Sequence, residues 1–145
     1  FSYLLRRYRN KSINNYLKKA AGPYNPKTRY GGPERITLQK EYSRKHSNGT
    51  YSGFVAGDKI EEAEKYFESW FGLDSMKWLE QFHFEKHDQL ELLTTVDMAM
   101  SELQAKGEKI DLETVKQLID SEPEWAPKLD RSIFSDDNIK RAIDW

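Results

Sequence analysis

The chain has 145 residues, 32% charged and 37% hydrophobic with an aromatic share of 13%, which suits one soluble folded domain with a real core and excludes disorder throughout. With no cysteine there are no disulfides, thiolate ligands or cysteine nucleophiles, and no apolar run nears the roughly 20 residues of a membrane span. The net charge of -1 hides a split, since residues 1–50 hold 12 Lys/Arg against Glu34 and Glu41, and residues 51–145 hold 11 bases against 22 acids.

In the first segment, FSYLLRRYRNKSINNYLKKA, Phe1, Leu4, Leu5, Tyr8, Ile13, Tyr16 and Leu17 recur at near-helical spacing. Lys18 and Lys19 suit the C-terminal end of that helix, and Gly22-Pro23 reads as its stop. Asn25 and Pro26 can restart a helix that Gly31-Gly32-Pro33 interrupts, and PERITLQKEYSRK predicts a further short helix ending before Ser47-Asn48-Gly49. TYSGFVA, residues 50–56, follows the Asn-Gly turn signal and is the one convincing β candidate.

Asp58 then precedes KIEEAEKYFESWFG, where Ile60, Ala63, Phe67, Trp70 and Phe71 share a helical face and Gly72 ends the pattern. Asp74 can cap SMKWLEQFHF. The longer run EKHDQLELLTTVDMAMSELQAKG carries a stripe of Leu93, Val96, Met100 and Leu103, with Gly107 as its stop. That helix is expected at the centre of the body. Asp111 begins LETVKQLIDSE, Pro123 and Pro127 bracket a turn containing Trp125, and Ser135 can cap DDNIKRAIDW.

The fold class expected is mainly α (α+β), a compact helical domain of about six helices with a small β element. It is read as a single domain, 1–145, in which a basic helix-turn segment, 1–50, packs on an acidic helical body, 51–145. The absence of cysteine and of a span reads as intracellular. Starting at Phe1 and stopping at Trp145 within a helical pattern, the sequence reads as a piece of a longer protein.

Catalytic patterns find little support. His83 and His87 are four apart, with Glu80 or Asp88 as a conceivable third ligand, but HFEKH lacks the glutamate beside the first histidine that a metalloprotease uses. The acids of EEAEKYFE and those around Glu91 invite a Mg²⁺-dependent nuclease, which needs strand ends this sequence does not predict. Exposed helix faces carrying Glu61, Glu62, Glu64 and Lys65 are the better explanation. No G-x-S-x-G elbow, P-loop or dinucleotide fingerprint is present. The expectation is a non-enzyme with no metal and no cofactor.

The basic stretch remains. Lys18, Lys19, Lys27, Arg29, Arg35, Lys40, Arg44 and Lys45 are candidates for DNA phosphates, with Tyr24 and Tyr30 offering rings and hydroxyls and Tyr24 and Asn25 shaping the turn. The competing explanation is a basic surface that docks on acidic protein, either elsewhere in the chain or in a partner.

The residues Ala20, Ala21, Gly22, Pro23, Tyr24, Asn25, Lys27 and Thr28, then YFESWFG at 66–72, the helix from Leu90 to Leu103 and FSDDNIKRAIDW carry a resemblance over most of the chain. It resembles the "AAGPY" module near the C-terminal end of some type I restriction-modification specificity subunits and related bacterial defence proteins. The resemblance implies a small winged-helix-like domain without catalytic residues, whose partners are DNA backbone phosphates, other restriction-modification subunits, or both, with no membrane. Two further readings differ in class: a protein-docking module without DNA contact, and a winged-helix regulator of toxin-antitoxin type.

Overall fold

The computed structural model describes residues 3, 16–25, 43–47, 52–82 and 85–145, and among these residues two short hairpins and five α-helices make up most of the regular structure. The protein is mainly helical with a small β component, as expected. It divides into two compact units, one formed by residues 1–25 with 81–145 and the other by residues 26–80. The basic residues of the first fifty positions are therefore shared between units. Among the described residues no helix is long and apolar enough to cross a membrane.

The first hairpin of the chain, β1 (Leu17–Lys19) with β2 (Gly22–Tyr24), belongs to the unit of residues 1–25 and 81–145, and the unit of residues 26–80 contains the second, β3 (Ser43–Ser47) with β4 (Ser52–Ala56). The β3 and β4 strands run antiparallel, in register from Ser43 opposite Ala56 to Ser47 opposite Ser52. β4 matches the expected strand. β3 corrects the helix expected to run through Ser43–Lys45, because extended pairing with β4 satisfies the same backbone groups that a helix would. The preceding part of that expected helix, 33–42, lies outside the described residues.

Helix α1 (Ile60–Phe71) turns Ile60, Ala63, Phe67 and Phe71 to its less exposed side and leaves Glu61, Glu62, Glu64 and Lys65 in solvent. Phe67 and Phe71 stack with ring centres 4.9 Å apart. Gly72, at φ 90°, ends the helix by donating its N–H to the Glu68 carbonyl, and α2 (Leu73–Glu80) follows at once. Asp74 therefore lies in the first turn of α2, where its charge complements the helix dipole, rather than preceding the helix as a cap.

In the other unit the centre is α3 (His87–Lys106), which contacts β2, α4 (Leu112–Ser121) and α5 (Asp136–Asp144). Because neighbours cover it on several sides, it buries Leu92, Thr94, Thr95 and Ala99 as well as the predicted Leu93, Val96 and Leu103. Gly107 stops it in the left-handed conformation, at φ 70°, and donates to the carbonyls of Leu103 and Gln104. Val96, Val115, Ile119, Trp125, Phe134 and Ile139 form the centre of this core. 3₁₀ helices at Ala126–Asp130 and Ser132–Phe134 bridge α4 to α5. Ser135 precedes α5 in extended backbone, but its side chain makes no capping hydrogen bond.

Asp111 does cap α4. Its Oδ1 accepts from the Thr114 N–H at 3.0 Å, and Thr114 Oγ1 accepts from the Asp111 N–H at 3.1 Å. Lys109 and these bonds hold the Asp111 carboxyl down at about 2. A carboxyl held below its ordinary value adds stability above that ordinary value and loses it as pH falls through the folded value. The difference in melting temperature between the protein and Asp111→Ala is therefore expected to narrow as pH is lowered from 3.8 toward about 2, followed by circular dichroism. A difference unchanged across that range would show that the cap's charge contributes nothing.

The largest departure from expectation is at Lys18–Tyr24. The helix predicted to end on Lys18 and Lys19 is instead the antiparallel pair β1–β2, closed by Ala20-Ala21, with Lys18 opposite Pro23 and Lys19 opposite Gly22. Gly22 sits at φ 96°, and a Cβ there would meet Thr94 Oγ1 and Thr95 Oγ1 of α3, both at 3.4 Å. The Gly-Pro signal thus opens the returning strand of a hairpin, close against a helix, rather than marking a helix stop.

Candidate nucleic-acid interface at the Lys18–Tyr24 turn

Two stretches about a hundred residues apart build this site: the β1–β2 hairpin and EPEWAPK, residues 122–128. Alternation along β1 leaves Leu17 and Lys19 exposed and turns Lys18 toward the helices. The Lys18 ammonium lies between Glu102 Oε2 of α3, at 2.6 Å, and Glu122 Oε1, and 5.4 Å from the centre of the Trp125 ring. Its side chain is only 17% exposed. Burial works against that ammonium, but hydrogen bonds and charge from Glu102 and Glu122 outweigh it and raise its pKa.

Glu102 also accepts from Lys106 at 2.8 Å, and Lys106 with Lys18 holds its carboxyl below the usual range. Next along the strand, Lys19 Nζ meets Glu124 Oε1 at 2.8 Å, both side chains about half exposed. That bond lowers the Glu124 carboxyl. Three ammonium groups and three carboxylates therefore gather at this turn, and their formal charges cancel.

The turn's backbone is held too. The Trp125 indole N–H donates to the Lys19 carbonyl at 3.1 Å, and Lys128 donates to the Ala20 carbonyl. Lys128 is 2% exposed, and its ammonium also meets Glu91 Oε1. Arg131 donates to Glu91 at 2.8 Å and to Asp88 at 3.2 Å. Both cations lie over the Phe134 ring, at 5.4 and 5.7 Å. Burial pushes the Lys128 ammonium down. Burial also works to raise the Glu91 carboxyl, but the bonds from Lys128 and Arg131 prevail and hold it below the usual range.

Of the predicted residues, this hairpin brings together Lys18, Lys19 and Tyr24, and Asn25, buried, follows directly. Arg44 and Lys45 are in β3 of the other unit, opposite Val55 and Phe54. Lys27, Arg29, Arg35 and Lys40 lie outside the described residues, as does His83. Among the described residues no three His, Asp or Glu side chains are placed to hold a metal ion. Glu91, considered above for nuclease chemistry, is taken up by Lys128 and Arg131.

The sequence reading missed the receiving side: Glu102, Glu122, Glu124, Trp125 and Lys128. The one available signal was the Trp125 turn between Pro123 and Pro127, which marks a shaped segment without naming what it meets. No protein-family model matches the chain, and no match is found among curated proteins.

Proposed function

We propose that the chain is a non-catalytic accessory module of a type I restriction-modification protein, acting in the cytoplasm, and that it assists assembly of its parent complex by docking. The supporting observation is the Lys18 ammonium enclosed by Glu102 and Glu122, with Lys19 on Glu124 beside it. A phosphate-binding turn presents unneutralised cations, whereas this one spends its lysines on carboxylates of the same unit. The charge balance agrees: residues 1–25 carry six bases and no acid, and residues 81–145 carry fifteen acids and eight bases.

That internal pairing counts against DNA contact through Lys18 and Lys19, and docking is the reading carried forward. The test is duplex affinity of the 145-residue chain against salt, with Lys18→Ala/Lys19→Ala beside the unchanged protein. The expected result is a lowered melting temperature and no change in duplex affinity at low salt. Duplex binding that weakens in the double variant, with a shallower salt dependence, would overturn docking as the role of this turn.

A further inference from the structure

Asn138, Arg141, Ala142 and Trp145 fall on one side of α5 and the residue after it. Glu85, Gln89 and Leu93, spaced four apart, run along α3 and the turn before it. Two cavities lie between these rows, one of about 510 Å³ beside Ser132 and Ile133 and one of about 280 Å³ beside Phe82 and Trp145, and Glu85 and Gln89 line both. The smaller is close to the lower end of small-ligand sites, about 300 Å³, and like them it joins an apolar floor to a few polar groups. Phe82, Leu93 and Ala142 are buried around it, and the Trp145 ring, 58% exposed, meets Phe82 edge-on with ring centres 5.4 Å apart.

Most cations of this unit meet one of its carboxylates, as Lys116 meets Asp136 at 2.7 Å and Arg131 meets Glu91 at 2.8 Å. Arg141 and Glu85 line the smaller cavity without pairing with each other, and neither meets an opposite charge elsewhere among the described residues. The Arg141 guanidinium is nonetheless oriented: Nε donates to the Asp137 carbonyl at 3.4 Å and Nη2 to Asn138 Oδ1, leaving Nη1 unspent. Asn138 is itself anchored, donating to the Ile133 carbonyl at 3.0 Å. A ligand with one charge leaves the other wall unanswered, and an uncharged one strips water from both without replacing it. We propose that this cavity binds a free α-amino acid with an apolar or aromatic side chain. Its carboxylate sits on Arg141, whose forked donors match a carboxylate, its ammonium on Glu85, and its side chain against Phe82, Leu93 and Trp145. The site is independent of docking at the Lys18 turn, since Lys18, Lys19 and their carboxylate partners line neither cavity.

The experiment follows the Trp145 indole N–H resonance of the 145-residue chain by NMR during titration with L-phenylalanine and L-leucine at neutral pH. Two analogues are titrated beside them: 3-phenylpropionate, which lacks the ammonium, and phenethylamine, which lacks the carboxylate. A saturable shift with a dissociation constant of about 1 mM or tighter is expected for at least one of the amino acids. Both analogues bind roughly tenfold more weakly than L-phenylalanine, the cost of one lost charge-assisted bond. Arg141→Gln and Glu85→Gln each weaken amino-acid binding by a similar factor, and each narrows the preference over the analogue lacking the matching charge. Lys140→Gln, a control on α5 that also meets no carboxylate among the described residues but lies outside the cavity, leaves binding unchanged. Arg141, Glu85 and Lys140 are all exposed, so the variants are expected to fold, which circular dichroism checks. No saturable shift with either amino acid overturns the proposal. Analogues that bind as tightly as L-phenylalanine, or a loss in Lys140→Gln equal to that in Arg141→Gln, overturn it as well.

Discussion

Trp125→Ala lowers the unfolding free energy by about 4 kcal/mol, the expected cost of deleting a large ring from a closed core together with its hydrogen bond. Trp125 is fully buried, its indole N–H is bonded to the Lys19 carbonyl, and its ring lies near the Lys18 ammonium. The deletion therefore acts at both ends, opening a cavity among the helices and releasing the β1–β2 turn. Small domains hold only about 5–15 kcal/mol in total, so such a loss leaves the variant marginal. Urea unfolding followed by far-ultraviolet circular dichroism measures it. Trp125→Phe keeps most of the volume and forfeits the indole bond, for an expected cost of about 1–2 kcal/mol. An alanine variant within about 1 kcal/mol of the original would show that the turn and the helical core are not joined through this ring.

Glu91→Ala is expected to cost about 3 kcal/mol or more, because it leaves the Lys128 ammonium buried with no opposite charge. The depth of Lys128, at 2% exposure, decides the size of the effect. By the same reasoning the double variant Glu91→Leu/Lys128→Met, which removes both charges and keeps apolar volume, recovers most of that loss. Its residual deficit comes from the Ala20 carbonyl and Arg131, each of which loses a partner. Chemical unfolding of the two variants side by side checks this. A double variant as unstable as Glu91→Ala would mean that the pair itself, and not an orphaned charge, supplies the stability.

Helices with local signals were legible. α4 begins where Asp111 and Thr114 stand three apart, α3 stops where Gly107 permits a left-handed turn, and α1 ends at Gly72. Each of those signals acts over a few residues, so neighbouring sequence is sufficient to read it. The stripe on α3 was read too narrowly because periodicity reports one buried side, while Thr94, Thr95 and Ala99 are buried by neighbours on others. At Lys18–Tyr24 the punctuation was seen and its meaning missed. Gly22 and Pro23 end a helix or form a hairpin equally well in isolation, and the hairpin is set where β2 pairs with β1 and packs on α3.

The sequence by itself determined that this protein is mainly helical, where its central helix stops and its next begins, and that its positive charge is concentrated at one end. These follow from composition and from interactions within a turn of chain. Only the tertiary structure decided what the charge meets in the described turn. Lys18 and Glu122 are 104 residues apart, and Lys128 and Ala20 108 apart. Coulomb attraction depends on distance in space, and local pattern carries no record of which distant carboxylate the fold sets beside a lysine.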